Sequence, residues 1–61
     1  MDSREVMKRL KDAGFVHIST RGSHHKLRKG ATTVIVPHPE KDLKPGTLRS
    51  IFRQAGLPWP P

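Results

Sequence analysis

The chain has 61 residues, and its 12 lysines and arginines against 5 aspartates and glutamates give a net charge of +7. A chain this short forms one domain and buries only about 60% of the surface that its unfolded form exposes. It contains no cysteine, which excludes disulfides and cysteine-based zinc sites. No apolar run approaches the roughly 18 residues that span a bilayer, and a signal-peptide pattern is absent. We therefore expect a soluble, cytoplasmic protein with no membrane partner.

The charge balance predicts the kind of partner rather than the fold. An excess of cations attracts polyanions before any specific contact forms. Nucleic acid is the favoured partner on this ground, and an acidic protein surface is the alternative.

The N-terminal pattern predicts a helix over residues 2–13. Asp2 is suited to the N-cap, and Glu5 follows at the spacing of a capping box. Val6 and Leu10 belong to one apolar stripe at helical spacing. Gly14 supplies the stop.

Residues 15–20, 24–28 and 31–37 are predicted to form three strands. Turns are expected at residues 21–23 and 29–30. Connections this short favour an antiparallel meander.

A second helix is predicted from Pro45 to the glycine at position 56. Lys44 takes the N-cap position, Leu43 and Leu48 have the spacing of a hydrophobic staple, and the apolar residues repeat as i, i+3, i+4, i+7. Residues 1–57 then form a single domain, and residues 58–61 an extended proline-rich tail. The fold class is α+β, in the order α-β-β-β-α, with a three-stranded antiparallel sheet and both helices on one face. This is the layout of a double-stranded-RNA-binding-like domain.

The alternation of side chains along a strand predicts which residues of the second strand face the helices. Leu27 is apolar and should point inward together with His25. His24, Lys26 and Arg28 should then lie on the open face. In the third strand, Val34 and Val36 are predicted to point inward, with Thr33 and Ile35 outward.

An exposed histidine among cations is suited to cleaving RNA without a metal ion. An imidazole carries protons near neutral pH, and cations stabilise the charge that develops on phosphorus. We therefore predict that His24 is the catalytic acid/base, with no metal and no cofactor. The predicted RNA-binding residues are those of the first turn and the basic second strand: Arg21, Gly22, Ser23, Lys26, Arg28 and Lys29.

The other histidines have plainer explanations. His38 is a candidate second acid/base group, but the prolines around it also serve to end the strand. A lysine, water or the RNA itself are the alternatives for that role. His17 is expected at a surface or edge position. His24 and His25 do not form a metal site, because adjacent strand residues face opposite ways.

Three motifs in order resemble the HicA toxin family of bacterial toxin–antitoxin systems. They are Gly22-Ser23-His24-His25, then Val36-Pro37-His38-Pro39, then residues 42–48, and the resemblance extends to residues 55–57. It implies a ribosome-independent mRNA interferase with His24 as the catalytic residue. It also implies a HicB-type antitoxin partner that binds and masks the active surface. Translation and growth would be inhibited until the antitoxin neutralises the toxin.

Two other functions fit the same residues. The chain could be an RNA-binding module that uses the same basic face without turnover. It could also be an interaction protein whose positive surface meets an acidic partner. Substitution of His24 separates an enzyme from a binder, and salt sensitivity separates RNA from a protein partner.

Overall fold

The computed structural model describes all 61 residues, Met1–Pro61. The elements in chain order are α1 (Ser3–Asp12), β1 (Val16–Arg21), β2 (His24–Lys29), β3 (Thr32–Pro37) and α2 (Pro45–Ala55). The strands form one antiparallel sheet in the order β1-β2-β3. The predicted α+β class and α-β-β-β-α order are confirmed. Neither helix is long and apolar enough to cross a membrane.

Helix α1 is capped as the sequence predicts, although only half of the capping box forms. The Asp2 carboxylate accepts the backbone N–H of Glu5 at 2.8 Å, which satisfies one of the free donors at the helix N-terminus. The Glu5 carboxylate instead accepts from Arg9 Nε at 3.1 Å, one helical turn further on. Val6 and Leu10 are fully buried and anchor α1 on the sheet.

The strand boundaries differ from the predicted ones by a single residue. Phe15 precedes β1 as a core side chain, and its N–H donates to the Leu10 carbonyl at 2.9 Å. Arg21 extends β1, which shortens the first turn to two residues. Its first residue, Gly22, has φ 58°, the sign that a tight type II′ hairpin requires and that glycine adopts without strain. Lys29 likewise belongs to β2 rather than to the second turn.

One face of the sheet carries the core, and both helices pack on it. Of the predicted inward residues, Leu27, Val34 and Val36 are buried and His25 is half-buried, whereas Thr33 and Ile35 are exposed. The ten core residues are Val6, Leu10, Phe15, Leu27, Val34, Val36, Leu43, Leu48, Ile51 and Phe52. The second face has no covering element, so the side chains on it are open to solvent.

Helix α2 begins and ends where the sequence predicts. Lys44 holds the N-cap position with extended backbone, but its side chain makes no capping hydrogen bond. Leu43 and Leu48 are both in the core, as a hydrophobic staple requires. Gly56 ends the helix in the left-handed conformation at φ 72°. Beyond it, the ring of Trp59 lies edge-on to Phe52 with centroids 5.7 Å apart, so the tail folds back on α2.

Candidate nucleic-acid site

His24 stands at the start of the central strand, on the open face of the sheet. It pairs with Arg21 of β1 and with Pro37 of β3, and its side chain is exposed. It lines a surface cavity of about 460 Å³, hereafter the His24 cavity. The cavity is lined by Ser19, Thr20, Arg21, His24, Lys26 and Ile35. The predicted placement of His24 and Lys26 on the open face is confirmed.

A β-bulge in β1 brings Arg21 to the same face as His24. The register shifts between His17, which pairs with Leu27, and Ser19, which pairs with Lys26. The extra residue, Ile18, reverses the alternation of side chains beyond it. In a regular strand Arg21 would share a face with His17. With the bulge, Arg21 lies beside His24 on the open face.

The cations of the His24 cavity are free to meet a phosphate. The side chains of Arg21 and Lys26 form no hydrogen bond and no ion pair within the chain. No carboxylate lines the cavity. An anion entering it therefore displaces only water from these cations.

The two other predicted cations of β2 have different environments. Arg28 lies four residues from His24, about 13 Å along the strand, and its Nε donates to the Gly30 carbonyl at 2.8 Å. Lys29 Nζ donates to the Ala13 carbonyl at 2.6 Å and so caps the C-terminus of α1. The structure brings Arg21 and Lys26 to His24, places Arg28 further along the open face, and does not bring Lys29 there. Gly22 and Ser23 form the exposed hairpin tip next to His24.

Three histidines meet on the helix side of the sheet. The ring of His25 lies 5.3 Å from that of His17 and 4.9 Å from that of His38, measured between centroids. Thr20 Oγ1 lies 2.7 Å from His17 Nε2 and 3.4 Å from His25 Nδ1. We call His17, His25 and His38 the histidine row. Sequence reasoning missed it, although the shared face of His25 and Leu27 was a signal that His25 points toward the helices.

His38 belongs to the histidine row and not to the His24 cavity. Its Nδ1 lies 2.7 Å from the hydroxyl of Ser3, a buried residue at the start of α1. The Ser3 oxygen also accepts the Glu40 N–H at 2.9 Å, so Ser3 connects both His38 and Glu40 to the start of α1. His24 and His38 thus lie on opposite sides of the sheet.

The surroundings of His25 in the histidine row change its pKa. Partial burial, followed by the neighbouring charges of His38, His17 and Lys11, lowers the pKa of His25 below its usual value of 6.5. The neutral imidazole is therefore favoured at this position. No group of three His, Asp or Glu side chains has an arrangement that could hold a metal ion.

The structure defines a small α+β protein with an exposed histidine and two cations lining one cavity on the open face of its sheet. Comparison with protein families matches residues 3–57 to the HicA toxin of bacterial toxin–antitoxin systems. The chain therefore belongs to the HicA toxin family, as the resemblance indicated, and it is the toxin type of component in such a pair. None of the curated proteins matches it.

Proposed function

We propose that this HicA-family protein is a metal-independent endoribonuclease that cleaves mRNA on the open face of its sheet, with His24 as general acid/base. The observation that carries the proposal is the His24 cavity. It holds an exposed imidazole beside two unpaired cations, with no competing carboxylate.

The reaction follows from the chemistry of RNA. The 2′-oxygen attacks the adjacent phosphorus, the bond from phosphorus to the 5′-oxygen breaks, and a 2′,3′-cyclic phosphate is left. One proton must leave the 2′-hydroxyl and one must reach the departing 5′-oxygen. His24 performs one of these two transfers, since an imidazole can hold or release a proton near neutral pH. His38 faces away from this cavity, so the other transfer falls in this proposal to Lys26, to water or to the RNA itself.

Arg21 and Lys26 supply the electrostatic part of catalysis. Charge builds up on the non-bridging phosphate oxygens in the transition state, and fixed cations aimed at them lower the barrier. Gly22 stands in open space at the hairpin tip, so an RNA backbone can approach the main chain there. Arg28, about 13 Å from His24, is positioned to contact a phosphate further along the strand.

A HicB-type antitoxin is the proposed protein partner, and the open face is its proposed binding surface. Val16, Ile18 and Ile35 are large apolar side chains that are 41% to 62% exposed. Val16 and Ile35 pair with Arg28 and Lys26 of the open face. Apolar residues rimmed by charged ones are typical of protein interaction sites. Binding there would cover His24 and hold the toxin inactive in the cytoplasm, where its mRNA substrate is translated.

The decisive experiment compares wild type with His24→Ala on a defined single-stranded RNA in EDTA. Loss of a general acid/base reduces cleavage by about 10² to 10⁴-fold. The variant should keep the wild-type melting temperature and RNA affinity, because His24 is exposed. Thr33→Ala, an exposed substitution on the same face, is the matched control and should cleave normally.

The ends of the fragments test the mechanism separately. Wild type should leave a 2′,3′-cyclic phosphate or its hydrolysis product. A single 2′-deoxy nucleotide at the cleaved position should block the reaction. If wild type and His24→Ala bind RNA equally and neither cleaves it, the chain is an RNA-binding module that uses the same basic face.

A further inference from the structure

A second basic groove runs along α1, on the side of the molecule opposite the His24 cavity. It has a volume of about 410 Å³ and is lined by Arg4, Met7, Lys8, Lys11, Asp12 and His38. Its three cations lie at i, i+4 and i+7, so they form one line along the helix. The distance from the first to the last is about 10 Å at the rise of an α-helix. We call this the α1 groove.

Two of these cations have no partner within the chain. Lys8 pairs with Asp12 at 3.1 Å. Arg4 and Lys11 make no side-chain hydrogen bond or ion pair, and both are exposed. They are therefore the residues of the groove that can bind an anion without breaking an existing contact.

The α1 groove and the His24 cavity are joined by a continuous polar surface. Thr20 lines the His24 cavity, and its hydroxyl contacts the rings of His17 and His25. The ring of His25 packs against His38, which lines the α1 groove. This surface passes around β1, an edge strand whose residues are all exposed.

We propose that the α1 groove is a second RNA-binding site, which holds the phosphate backbone of the same strand that enters the His24 cavity, with Arg4 and Lys11 as its phosphate contacts. This rests on the proposed ribonuclease function and extends it. The shortest dimension of the Cα framework is 16 Å, the length of about five stacked nucleotides. A strand that follows the surface from one site to the other must be longer than that, and a shorter one cannot bridge them.

The chemistry of the groove favours RNA over an acidic protein as the occupant. Protein interfaces need an apolar centre, and Met7 is the only apolar residue that lines this groove. The exposed apolar side chains Val16, Ile18 and Ile35 are instead the ones that the proposed antitoxin surface uses.

The test compares two double variants in the non-cleaving His24→Ala background. Arg4→Gln/Lys11→Gln removes the free cations of the groove. Arg49→Gln/Arg53→Gln removes two exposed cations of α2 and lowers the net charge equally. Binding of 5′-fluorescein-labelled 12-nucleotide and 4-nucleotide oligouridines is followed by fluorescence anisotropy from 50 to 300 mM salt.

We expect the groove variant to bind the 12-mer about tenfold more weakly than the α2 variant, since two phosphate contacts are lost. Its salt slope should be lower by about 1.4, at about 0.7 per contact with single strands. The 4-mer should bind both variants equally. Equal affinities of the two variants for the 12-mer would overturn the second site while leaving the proposed function intact.

Two further outcomes distinguish the alternatives. If the background protein binds neither oligonucleotide at 50 mM salt, the proposed ribonuclease function fails and this inference fails with it. If the groove variant binds RNA like the α2 variant but loses its complex with the co-expressed antitoxin, the groove is a protein-binding surface and the RNA proposal is wrong.

Discussion

Replacing Leu27 with alanine tests which face of β2 meets the helices, and hence why His24 faces solvent. Leu27 is fully buried at the centre of the sheet, where it belongs to the core cluster shared by both helices. Leucine-to-alanine substitutions at such sites cost about 3 kcal/mol, from lost transfer free energy and the cavity left behind. Lys26, the neighbouring residue, lies on the open face, and its replacement should cost less than about 0.5 kcal/mol.

The small size of the protein makes the difference easy to measure. At about 0.05–0.15 kcal/mol per residue, a chain of 61 residues has a free energy of unfolding of roughly 3–9 kcal/mol. Leu27→Ala therefore removes between about a third and the whole of the free energy of unfolding. A loss of 3 kcal/mol corresponds to a fall in melting temperature of about 20 °C for a domain of this size.

Urea and thermal unfolding of Leu27→Ala and Lys26→Ala, followed by circular dichroism, provide the measurement. The urea dependence of the free energy should be the same for both proteins, because neither substitution changes the overall surface exposed on unfolding. Comparable destabilisation by the two substitutions would refute the face assignment. The open-face position of His24 would then lose its physical basis.

Two more predictions concern the histidine row and Ser3, which contacts His38. The fold lowers the pKa of His25 below 6.5, so at acidic pH the unfolded chain binds more protons at this residue than the folded chain does. The free energy of unfolding should therefore be fully present above pH 6.5 and should decrease as pH falls below it. Urea unfolding at pH 7.5 and 5.5 should show this loss, and it should shrink in His25→Gln but not in His24→Gln; an unchanged loss in His25→Gln would contradict the assignment. Ser3→Ala leaves the Glu40 N–H and His38 Nδ1 without their partner and should cost about 2 kcal/mol. The same substitution at Ser50, which only accepts from Gln54, should change thermal stability little. Equal effects of the two substitutions would contradict the stabilising role assigned to the Ser3 hydrogen bonds.

Local patterns were enough to predict the elements and the placement of His24 and Lys26 on the open face. Asp2, Leu43 and Gly56 mark helix ends through caps and staples that depend only on nearby residues. The alternation of β2 separates Leu27 from His24, because successive strand residues always face opposite sides. The one-residue errors at the turns arose because pairing across the hairpin, rather than local propensity, determines where a strand ends.

Two features of the site depend on contacts between residues far apart in the chain. The position of Arg21 follows from the bulge at Ile18, and a bulge is defined only by the partner strand against which its register shifts. The histidine row joins β1, β2 and the segment after β3, and Ser3 holds His38 across 35 positions of sequence.

The alternation of side chains in β2, together with the apolar Leu27, is sufficient to place a histidine and cations on the open face of the central strand. Which cations lie beside His24 follows from contacts between distant segments. Lys29, which the sequence grouped with the basic strand, caps α1, and Arg21 is turned toward His24 by the bulge. A bulge exists only relative to its partner strand, and the Lys29 contact depends on how α1 docks on the sheet, so neither is encoded by the residues next to it in the chain.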